Sequence, residues 1–255
     1  MKIVVNPKYG WLTDFVHSVP RHEYAVEEVF RENRNIVELT SCDGQRLVVK
    51  KYKRPTLANC VVYTFLRKTK AQRSYENALQ LYYRGIGTAA PVGYIEQRKH
   101  GFFHTGWFIS VYLPLPTLDE VYRRTTDRDK RDKLASDFMD FTLKLFKEGI
   151  IDHDYNASNI LAYNDGGRWH FSLVDINRLR FVRKRRLNDE MHAMEQLGAS
   201  AEDLVRFLPR YAEESGNDID HCFLMLLIGK LRHKHRNAMK ARMKRFLRIG
   251  TNPKK

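Results

Sequence analysis

A predicted β-hairpin at residues 160–175 carries an oxygen-bearing side chain at each of its two outer ends. Its parts are the strand ILAY at 160–163, the turn NDGG at 164–167 and the strand WHFSLVD at 169–175. Because the turn centres near residue 165, Asn159 and Asp175 are expected to face each other. Facing residues on paired antiparallel strands lie roughly 5 Å apart, close enough for two side chains to share one metal ion.

A third oxygen ligand precedes this hairpin. Asp154 stands five residues before Asn159, in a loop that follows the clearest helical pattern of the chain, residues 127–148. Together with Asp175, these side chains are typical of a Mg²⁺ site in which substrate phosphates and water complete the coordination. The alternative for Asp154 and Asn159 is a local role in capping the turns of the loop.

The first half of the chain predicts strands with one helix inserted. The predicted strands are 24–30, 36–40, 46–52, 91–97 and 107–113, and the helix is 69–84. Asp43-Gly44 is a strong signal for a hairpin turn between the second and third of these strands. Pro114 and Pro116 mark a break, beyond which the composition becomes helical. The pattern predicts an N-terminal lobe at residues 1–113 and a C-terminal lobe at residues 114–255.

Three short motifs occur in the order in which protein kinases carry them. VVK at 48–50 resembles the strand that ends in the kinase lysine, DHDYNASNIL at 152–161 the catalytic loop, and VDIN at 174–177 the D-F-G element. The forms HDYNASNIL and VDINRLRF, with RSYENALQLYYRGIGTAAPVGYIE, are similar to the lipopolysaccharide core kinases (Kdo and heptose kinases). The resemblance covers about residues 24–186. It implies an α+β, bilobal protein-kinase-like fold, with a small antiparallel-sheet N-lobe carrying one helix and a mainly helical C-lobe.

The resemblance also implies an activity. The chain is expected to be an ATP- and Mg²⁺-dependent kinase that phosphorylates a sugar hydroxyl, of Kdo or heptose, in the lipopolysaccharide inner core. Asp154 would orient the acceptor hydroxyl and receive its proton, while Asn159 and Asp175 would hold Mg²⁺.

Nucleotide contacts are implied for the N-terminal lobe. Lys50 would bind the α- and β-phosphates, and Glu76 on the predicted helix would be its ion-pair partner. The spacing from the end of that helix favours position 74 for the acidic residue, where the chain has Ser74. The backbone from Val111 to Leu113 would bind the adenine. Taken without the other motifs, Lys50 is equally compatible with an exposed lysine on an edge strand.

Three more positions depart from the kinase pattern. Asp152 occupies the place of the catalytic-loop histidine, so the backbone anchoring of that histidine must come from another contact. Asn177 replaces the glycine of D-F-G, a mild change because asparagine tolerates the left-handed conformation. The expected phosphate-covering loop, FRENRN at 30–35, has no glycine, and Arg31 or Arg34 is expected to contact the phosphates instead.

The basic residues are concentrated in two places. The formal charge is +15, yet residues 221–255 hold 11 Lys and Arg with no Asp or Glu, and the other 220 residues hold 34 basic against 30 acidic residues. This tail suits an anionic membrane surface, or it is a disordered basic extension. Six further basic residues lie between Arg178 and Arg186. We expect Arg178 and Arg180 to contact an anionic glycolipid acceptor resembling Kdo-lipid A; a solvated basic loop is the alternative.

Cysteine usage and hydropathy bear on the compartment. Cys42, Cys60 and Cys222 are odd in number and far apart, which disfavours a disulfide framework and favours a reducing compartment. The N-terminus lacks a signal-peptide pattern. The longest apolar run, CFLMLLI at 222–228, is too short to span a bilayer and is expected in the C-lobe core. A cytoplasmic protein, peripheral on the cytoplasmic face of the inner membrane, is predicted, while the oligomeric state stays open.

Other function classes compete with this prediction. A kinase of the same fold could act on protein or on another small hydroxyl compound. A pseudokinase is a further alternative, because the glycine-free loop and the ambiguous Glu76 both weaken nucleotide binding. The basic composition suggests a nucleic-acid-binding module, but the chain has no recognised nucleic-acid motif and its aromatic residues are not interleaved with the basic runs. We therefore expect no nucleic-acid partner.

Overall fold

The structure is a computed structural model of the chain, and it describes residues 1–32, 35–197 and 201–249. The strands are β1 (Lys2–Val5), β2 (Glu28–Glu32), β3 (Asn35–Cys42), β4 (Gln45–Tyr52), β5 (Gly87–Thr88), β6 (Pro91–Lys99), β7 (Phe102–Val111), β8 (Ile150–Asp152), β9 (Ile160–Asp165), β10 (Arg168–Leu173) and β11 (Leu179–Phe181). The α-helices are α1 (Thr13–Ser18), α2 (Leu57–Phe65), α3 (Lys70–Tyr83), α4 (Leu118–Arg124), α5 (Arg128–Lys147), α6 (Leu187–Gln196), α7 (Ala201–Ser215) and α8 (Ile219–Ile249).

Six strands form an antiparallel sheet in the order β1-β6-β7-β4-β3-β2. The predicted turn Asp43-Gly44 joins β3 to β4, and its two residues have φ of 49° and 78°, as a two-residue hairpin turn requires. Strand β4 lies in the interior of the sheet, and its Leu47 and Val49 are fully buried. The sequence prediction omitted β1, because its partner β6 is distant along the chain and no local pattern reveals the pairing.

The N-terminal segment covers one face of this sheet. Leu12, Phe15 and Val16, in and beside α1, form a buried cluster with sheet residues that include Val49 and Ile109. The helical turns that carry them are short, so they show too little periodicity for a helix to be predicted. Burial of these side chains fixes the sheet from which Lys50 projects.

Helix α3 packs against β6 and β7. Its buried residues are Ala71, Ser74, Tyr75, Ala78 and Leu81, which share one face. Thr69 caps the helix by accepting a hydrogen bond from the Gln72 N–H (3.1 Å), and Gly85 follows its end with φ of 62°. The predicted helix at 69–84 is thereby confirmed.

Strands β9 and β10 form the predicted hairpin, closed by Gly166 and Gly167 with φ of 57° and 88°. The register places Ile160 opposite Leu173 and differs by one residue from the predicted facing of Asn159 and Asp175. The strands pair residue for residue on either side of Gly166 and Gly167, so Val174 faces Asn159 and Asp175 lies one position beyond it.

A short third strand fixes this hairpin in place. Strand β5 pairs in parallel with β10, and the Thr88 hydroxyl donates a hydrogen bond to the Leu173 carbonyl oxygen (2.8 Å). Gly87 lies against the Phe171 backbone, where a side chain has no room. The short strand therefore depends on a glycine.

The chain forms two compact units, Met1–Phe138 with Ser158–Leu179, and Met139–Ala157 with Arg180–Lys255. The first contains the six-stranded sheet and the three-stranded sheet β5-β10-β9, and the second is mainly helical. The α+β prediction, with an antiparallel N-terminal sheet and a helical C-terminal region, is confirmed. The lobe boundary between residues 113 and 114 stays a prediction.

In the second unit, helix α8 packs against α6 and α7. Cys222 and Leu226 are buried, whereas Phe223, Leu224 and Leu227 are 45–53% exposed. The expectation that CFLMLLI lies in the core is therefore wrong for these exposed residues, because a helix directs only one side of such a run inward. Within the described ranges, no helix is both long and apolar enough to cross a membrane.

The contact at Gly87 gives a test of how the hairpin is held. A Cβ at this position would lie 2.3 Å from the Phe171 carbonyl oxygen, a backbone atom that cannot move without disturbing β10. We expect Gly87→Ala to lower the free energy of unfolding by roughly 1–3 kcal/mol, measured by urea denaturation. Gly10→Ala is the matched control, since a Cβ there has no neighbour within 4 Å. Equal effects of the two substitutions would contradict the close approach.

Candidate active site

Lys50 and Asp175 form an ion pair at the centre of the first unit. Lys50 projects from β4, an interior strand, and its side chain is 11% exposed, while that of Asp175 is 17% exposed. The alternative of an exposed lysine on an edge strand therefore does not apply. The structure brings together these two predicted site residues, which are distant in the sequence.

The backbone of Asp175 is left-handed, with φ of 57° and ψ of 39°. The sequence pattern suggested this conformation for Asn177, but Asn177 lies in a short 3-10 helix and donates a hydrogen bond to Asp175 Oδ1 (2.6 Å). Burial would raise the pKa of Asp175, but Lys50, Asn177 and Arg31 outweigh it and hold the pKa below its ordinary value. Arg31 thus acts on the site electrostatically, and Arg34 lies outside the described residues.

Asn159 ends a short 3-10 helix and is 9% exposed. Its carbonyl oxygen accepts a hydrogen bond from the Val174 N–H (2.9 Å), so Asp175 follows one position beyond the residue that faces Asn159. Within the described residues, no three His, Cys, Asp or Glu side chains lie close enough together to hold a metal ion. One carboxylate and one amide oxygen fit Mg²⁺, which takes few protein ligands when substrate phosphates and water supply the others.

The expected ion pair between Glu76 and Lys50 is wrong. Glu76 instead accepts hydrogen bonds from Lys68 Nζ (2.8 Å) and Gln72 Nε2 (2.9 Å). Two positions along a helix turn a side chain through about 200°, and the inward position is Ser74, whose hydroxyl is bonded to the Tyr52 hydroxyl (2.6 Å). The site therefore has a serine where the kinase pattern places a carboxylate.

A second lysine lies beside Lys50 in place of that carboxylate. The Lys50 and Lys70 ammonium groups are 5.5 Å and 6.0 Å from the centre of the Tyr52 ring. Burial lowers the pKa of Lys70, and the positive charges of Arg178, Arg73 and Lys50 lower it further, while Asp175 opposes them. Positive charge is thus in excess around one carboxylate, which favours a multiply charged anion.

Lys70 and Arg73 were not among the predicted site residues, although their spacing carries a signal. Lys70, Arg73 and Asn77 follow the spacing i, i+3, i+7, which places them on one face of α3. Asn77 donates a hydrogen bond to the Ile176 carbonyl oxygen (2.7 Å) and so ties this face to the segment that follows Asp175.

The predicted adenine segment follows the end of β7. The Val111 N–H donates to the Ala90 carbonyl oxygen (2.9 Å), and the Tyr112 N–H donates to the Arg46 carbonyl oxygen (3.0 Å). The Leu113 N–H has no acceptor within the part of the chain that the structure describes. Of the three N–H groups, Leu113 is therefore the one that can donate to an adenine nitrogen.

The predicted catalytic loop belongs to the second unit and is held by its own side chains. The buried Asp152 carboxylate accepts a hydrogen bond from the Asp154 N–H (2.9 Å), which supplies the anchoring left open by the missing histidine. Tyr155 is buried and its hydroxyl is bonded to Thr142 Oγ1 on α5 (2.8 Å). The Asn156 amide donates to the Asp154 carbonyl oxygen (2.9 Å). Asp154 thus stands on a fixed loop.

The basic segment from Arg178 to Arg186 divides into structural and exposed residues. Arg185 donates two hydrogen bonds to the buried Glu190 (2.6 and 3.0 Å), which also accepts one from the Tyr211 hydroxyl. Arg185 therefore stabilises the second unit. Arg178 and Arg180 are exposed and remain candidates for an anionic acceptor.

The Lys50–Asp175 pair makes stability depend on pH. Because the folded pKa of Asp175 is lowered, its stabilisation is present above the ordinary pKa of 3.8 and is lost as the pH falls through the folded value. We expect Lys50→Met to lower the free energy of unfolding by roughly 3 kcal/mol at neutral pH, and by less below about pH 4, in urea titrations. Lys51→Met on the same strand is the exposed control. A loss independent of pH would contradict the pairing.

Comparisons with known proteins agree with this arrangement at the level of the fold. No protein-family model and no curated protein matches the sequence. The solved structure of WaaP in complex with acyl carrier protein matches with a TM-score of 0.62 and 16% sequence identity, over 94% of this chain and 99% of that chain. WaaP is a lipopolysaccharide heptose kinase. The chain therefore has the protein-kinase-like fold of WaaP, and the resemblance to lipopolysaccharide core kinases is confirmed as a likeness of fold.

Proposed function

We propose that this protein is an ATP- and Mg²⁺-dependent kinase that phosphorylates a sugar hydroxyl, of Kdo or heptose, in the lipopolysaccharide inner core. The observation that carries the proposal is the buried Lys50–Asp175 ion pair within a kinase-like fold. A buried lysine and aspartate, surrounded by further cations, suit a nucleotide polyphosphate with its metal ion.

The N-terminal unit would bind the nucleotide. Lys50 and Lys70 would contact the phosphates as point charges, and Arg73 would add to the positive potential around them. The Leu113 N–H would donate a hydrogen bond to the adenine. The cationic residues of α3 would thus add positive charge near the phosphates, at the place where other kinases carry an acidic helix residue that pairs with the strand lysine.

Asp175 and Asn159 would hold Mg²⁺, which when bound would neutralise charge on the phosphates. Before binding, Lys50 keeps the Asp175 carboxylate ionised at neutral pH, because the ion pair lowers its pKa. The ligand is therefore already in its charged form. The hydrogen bond from Asn177 fixes the orientation of that carboxylate (2.6 Å).

Asp154 would accept a hydrogen bond from the acceptor hydroxyl and receive its proton. Its loop is held by Asp152 and Tyr155, so the carboxylate needs little reorganisation to meet the acceptor. Arg178 and Arg180 would bind the anionic glycolipid, which resembles Kdo-lipid A in carrying carboxylate and phosphate groups.

The acceptor would be reached at the cytoplasmic face of the inner membrane. Helix α8 contains most of the basic tail and carries exposed apolar residues, among them Phe223 and Leu231. Such a helix suits an anionic leaflet. The fold is equally compatible with a protein or another small hydroxyl compound as acceptor, and these are outcomes of the experiment below.

The decisive experiment offers the purified chain Mg²⁺-ATP with Kdo-lipid A, heptosyl-Kdo-lipid A or lipid A without sugar. We expect mass spectrometry to show one added phosphate on a sugar-bearing acceptor and none on lipid A. Asp154→Asn should lower the rate at least about 100-fold, because proton acceptance is lost. Asp165→Asn, at the exposed tip of the hairpin, is the control and should keep the activity.

Phosphate on none of the lipids would refute the acceptor assignment. Retained activity in Asp154→Asn would remove the role of that residue. If the wild-type chain failed to bind Mg²⁺-ATP in calorimetry, the pseudokinase alternative would replace the proposal.

The position of Lys70 leads to a separate prediction about the affinity for nucleotides. Lys70→Gln should weaken ATP and ADP binding about tenfold, because a charged hydrogen-bond donor to phosphate is lost, and should leave adenosine binding unchanged. Lys68→Gln, an exposed lysine paired with Glu76, is the matched control. Equal ATP affinity of wild type and Lys70→Gln would contradict a phosphate contact.

Because the pKa of Lys70 is lowered, ATP binding should change the protonation of this lysine, an effect that a merely structural lysine would not show. A bound phosphate favours the charged ammonium and returns the pKa toward 10.5. ATP binding at about pH 9 should therefore take up protons in the wild type, and less in Lys70→Gln. Calorimetry in two buffers of different ionisation enthalpy measures this difference.

A further inference from the structure

Helix α2 presents apolar side chains to solvent. Leu57, Val61 and Phe65 recur at i, i+4 and i+8, so they share one face, and they are 77%, 45% and 71% exposed. Leu66 follows the helix and is 80% exposed. The opposite side is anchored on β7, where Cys60 is buried. A short helix that is apolar on its outer face as well as its inner face is unusual for a monomeric surface.

The β6–β7 hairpin extends this surface. Phe102, near its tip, is 45% exposed, and its ring meets that of Phe65 edge to face with centroids 6.2 Å apart. A shallow groove of about 480 Å³ runs between helix and hairpin. Leu57, Val61, Phe65, Leu66 and Phe102 are called the α2 patch below.

The charges around the α2 patch have one sign. Residues 53–68, which span α2 and its flanks, contain four Lys and Arg with no Asp or Glu, and residues 97–105 of the hairpin also contain no acidic residue. Arg54, Lys99 and His100 line the groove. Burial lowers the pKa of His104 in the same groove, and the positive charges of Arg54 and Lys99 lower it further.

The nearest carboxylates along the chain do not offset this charge. Glu96 is 5% exposed and accepts a hydrogen bond from the Thr69 hydroxyl (2.6 Å). Glu76 is paired with Lys68. The α2 patch therefore combines protruding apolar side chains with a basic rim.

We propose that the α2 patch docks the protein on an anionic lipid bilayer. The ends of α2 project Leu57 and Leu66 almost fully into solvent, which matches an interfacial helix whose apolar side enters the acyl boundary while basic residues meet the headgroups. A folded partner would need an acidic cavity shaped to receive these side chains, whereas a bilayer adapts to them. The docking site is separate from the nucleotide residues and does not rest on the proposed kinase activity.

Sedimentation of the full chain with vesicles tests the proposal. The wild type should bind vesicles of phosphatidylglycerol and phosphatidylcholine, and bind pure phosphatidylcholine far more weakly. The double variant Leu57→Ser with Phe65→Ser should bind the anionic vesicles at least about tenfold more weakly, because two apolar side chains are lost from the acyl boundary. Arg67 is exposed and directly follows Leu66, and Arg67→Gln should weaken binding about fivefold because one basic residue near the headgroups is lost.

The matched control changes two exposed rings elsewhere in the same unit. Tyr82→Ser with Tyr83→Ser removes side chains that are 61% and 79% exposed, and it should bind like the wild type. Thermal unfolding of each variant checks that the fold is retained. Activity on detergent-dispersed acceptor should be unchanged in the Leu57 and Phe65 variant, which separates failure of docking from failure of the proposed function.

A second measurement reports insertion directly. In Phe65→Trp, the fluorescence of the introduced tryptophan should be quenched by lipids with brominated acyl chains. In Tyr83→Trp, the fluorescence of the introduced tryptophan should not be quenched. Equal vesicle binding by the wild type and the Leu57 and Phe65 variant would overturn the proposal. It would also be overturned if the wild type did not bind anionic vesicles. In the latter case an acidic protein would be the partner to examine.

Discussion

The ion pair between Lys50 and Asp175 is the contact on which the first unit depends. It joins an interior strand of the six-stranded sheet to the segment that follows a hairpin formed more than one hundred residues later. Both groups are nearly buried, so each is stable as a charge only because the other is present. The core beneath α1, the cap of α3 and the glycine at β5 all serve to hold these two side chains at one place.

The charge balance around this pair differs from the usual kinase pattern. Ser74 stands where an acid is expected, and Lys70 adds a cation, so the site repels further positive charge and attracts phosphate. A carboxylate on the helix would hold Lys50 by forming an ion pair with it, in competition with Asp175. Here the ion pair with Asp175 serves that purpose, which couples the orientation of Lys50 to the proposed metal ligand itself.

The sequence predicted the parts of the molecule that follow from local patterns. Asp43-Gly44, the α3 face and the β9–β10 hairpin each depend on residues close together in the chain. The register of that hairpin was off by one, because the two predicted runs, 160–163 and 169–175, differ in length and their outer ends do not face each other. Glu76 was misplaced because it was the available acid, although helical geometry favoured position 74. Pairing of β1 with β6 depends on distant residues, and α2 shows no polar face from which a helix could be predicted.

The left-handed backbone of Asp175 limits what can replace it. Glycine and asparagine adopt this conformation easily, but neither would give Lys50 a charge to pair with. Glutamate would supply the charge, but it lacks the short side chain that makes this conformation tolerable. Aspartate is the one amino acid of the twenty that meets both demands. Substitution by glycine or asparagine would therefore remove the charge that pairs with Lys50, and substitution by glutamate would strain the backbone.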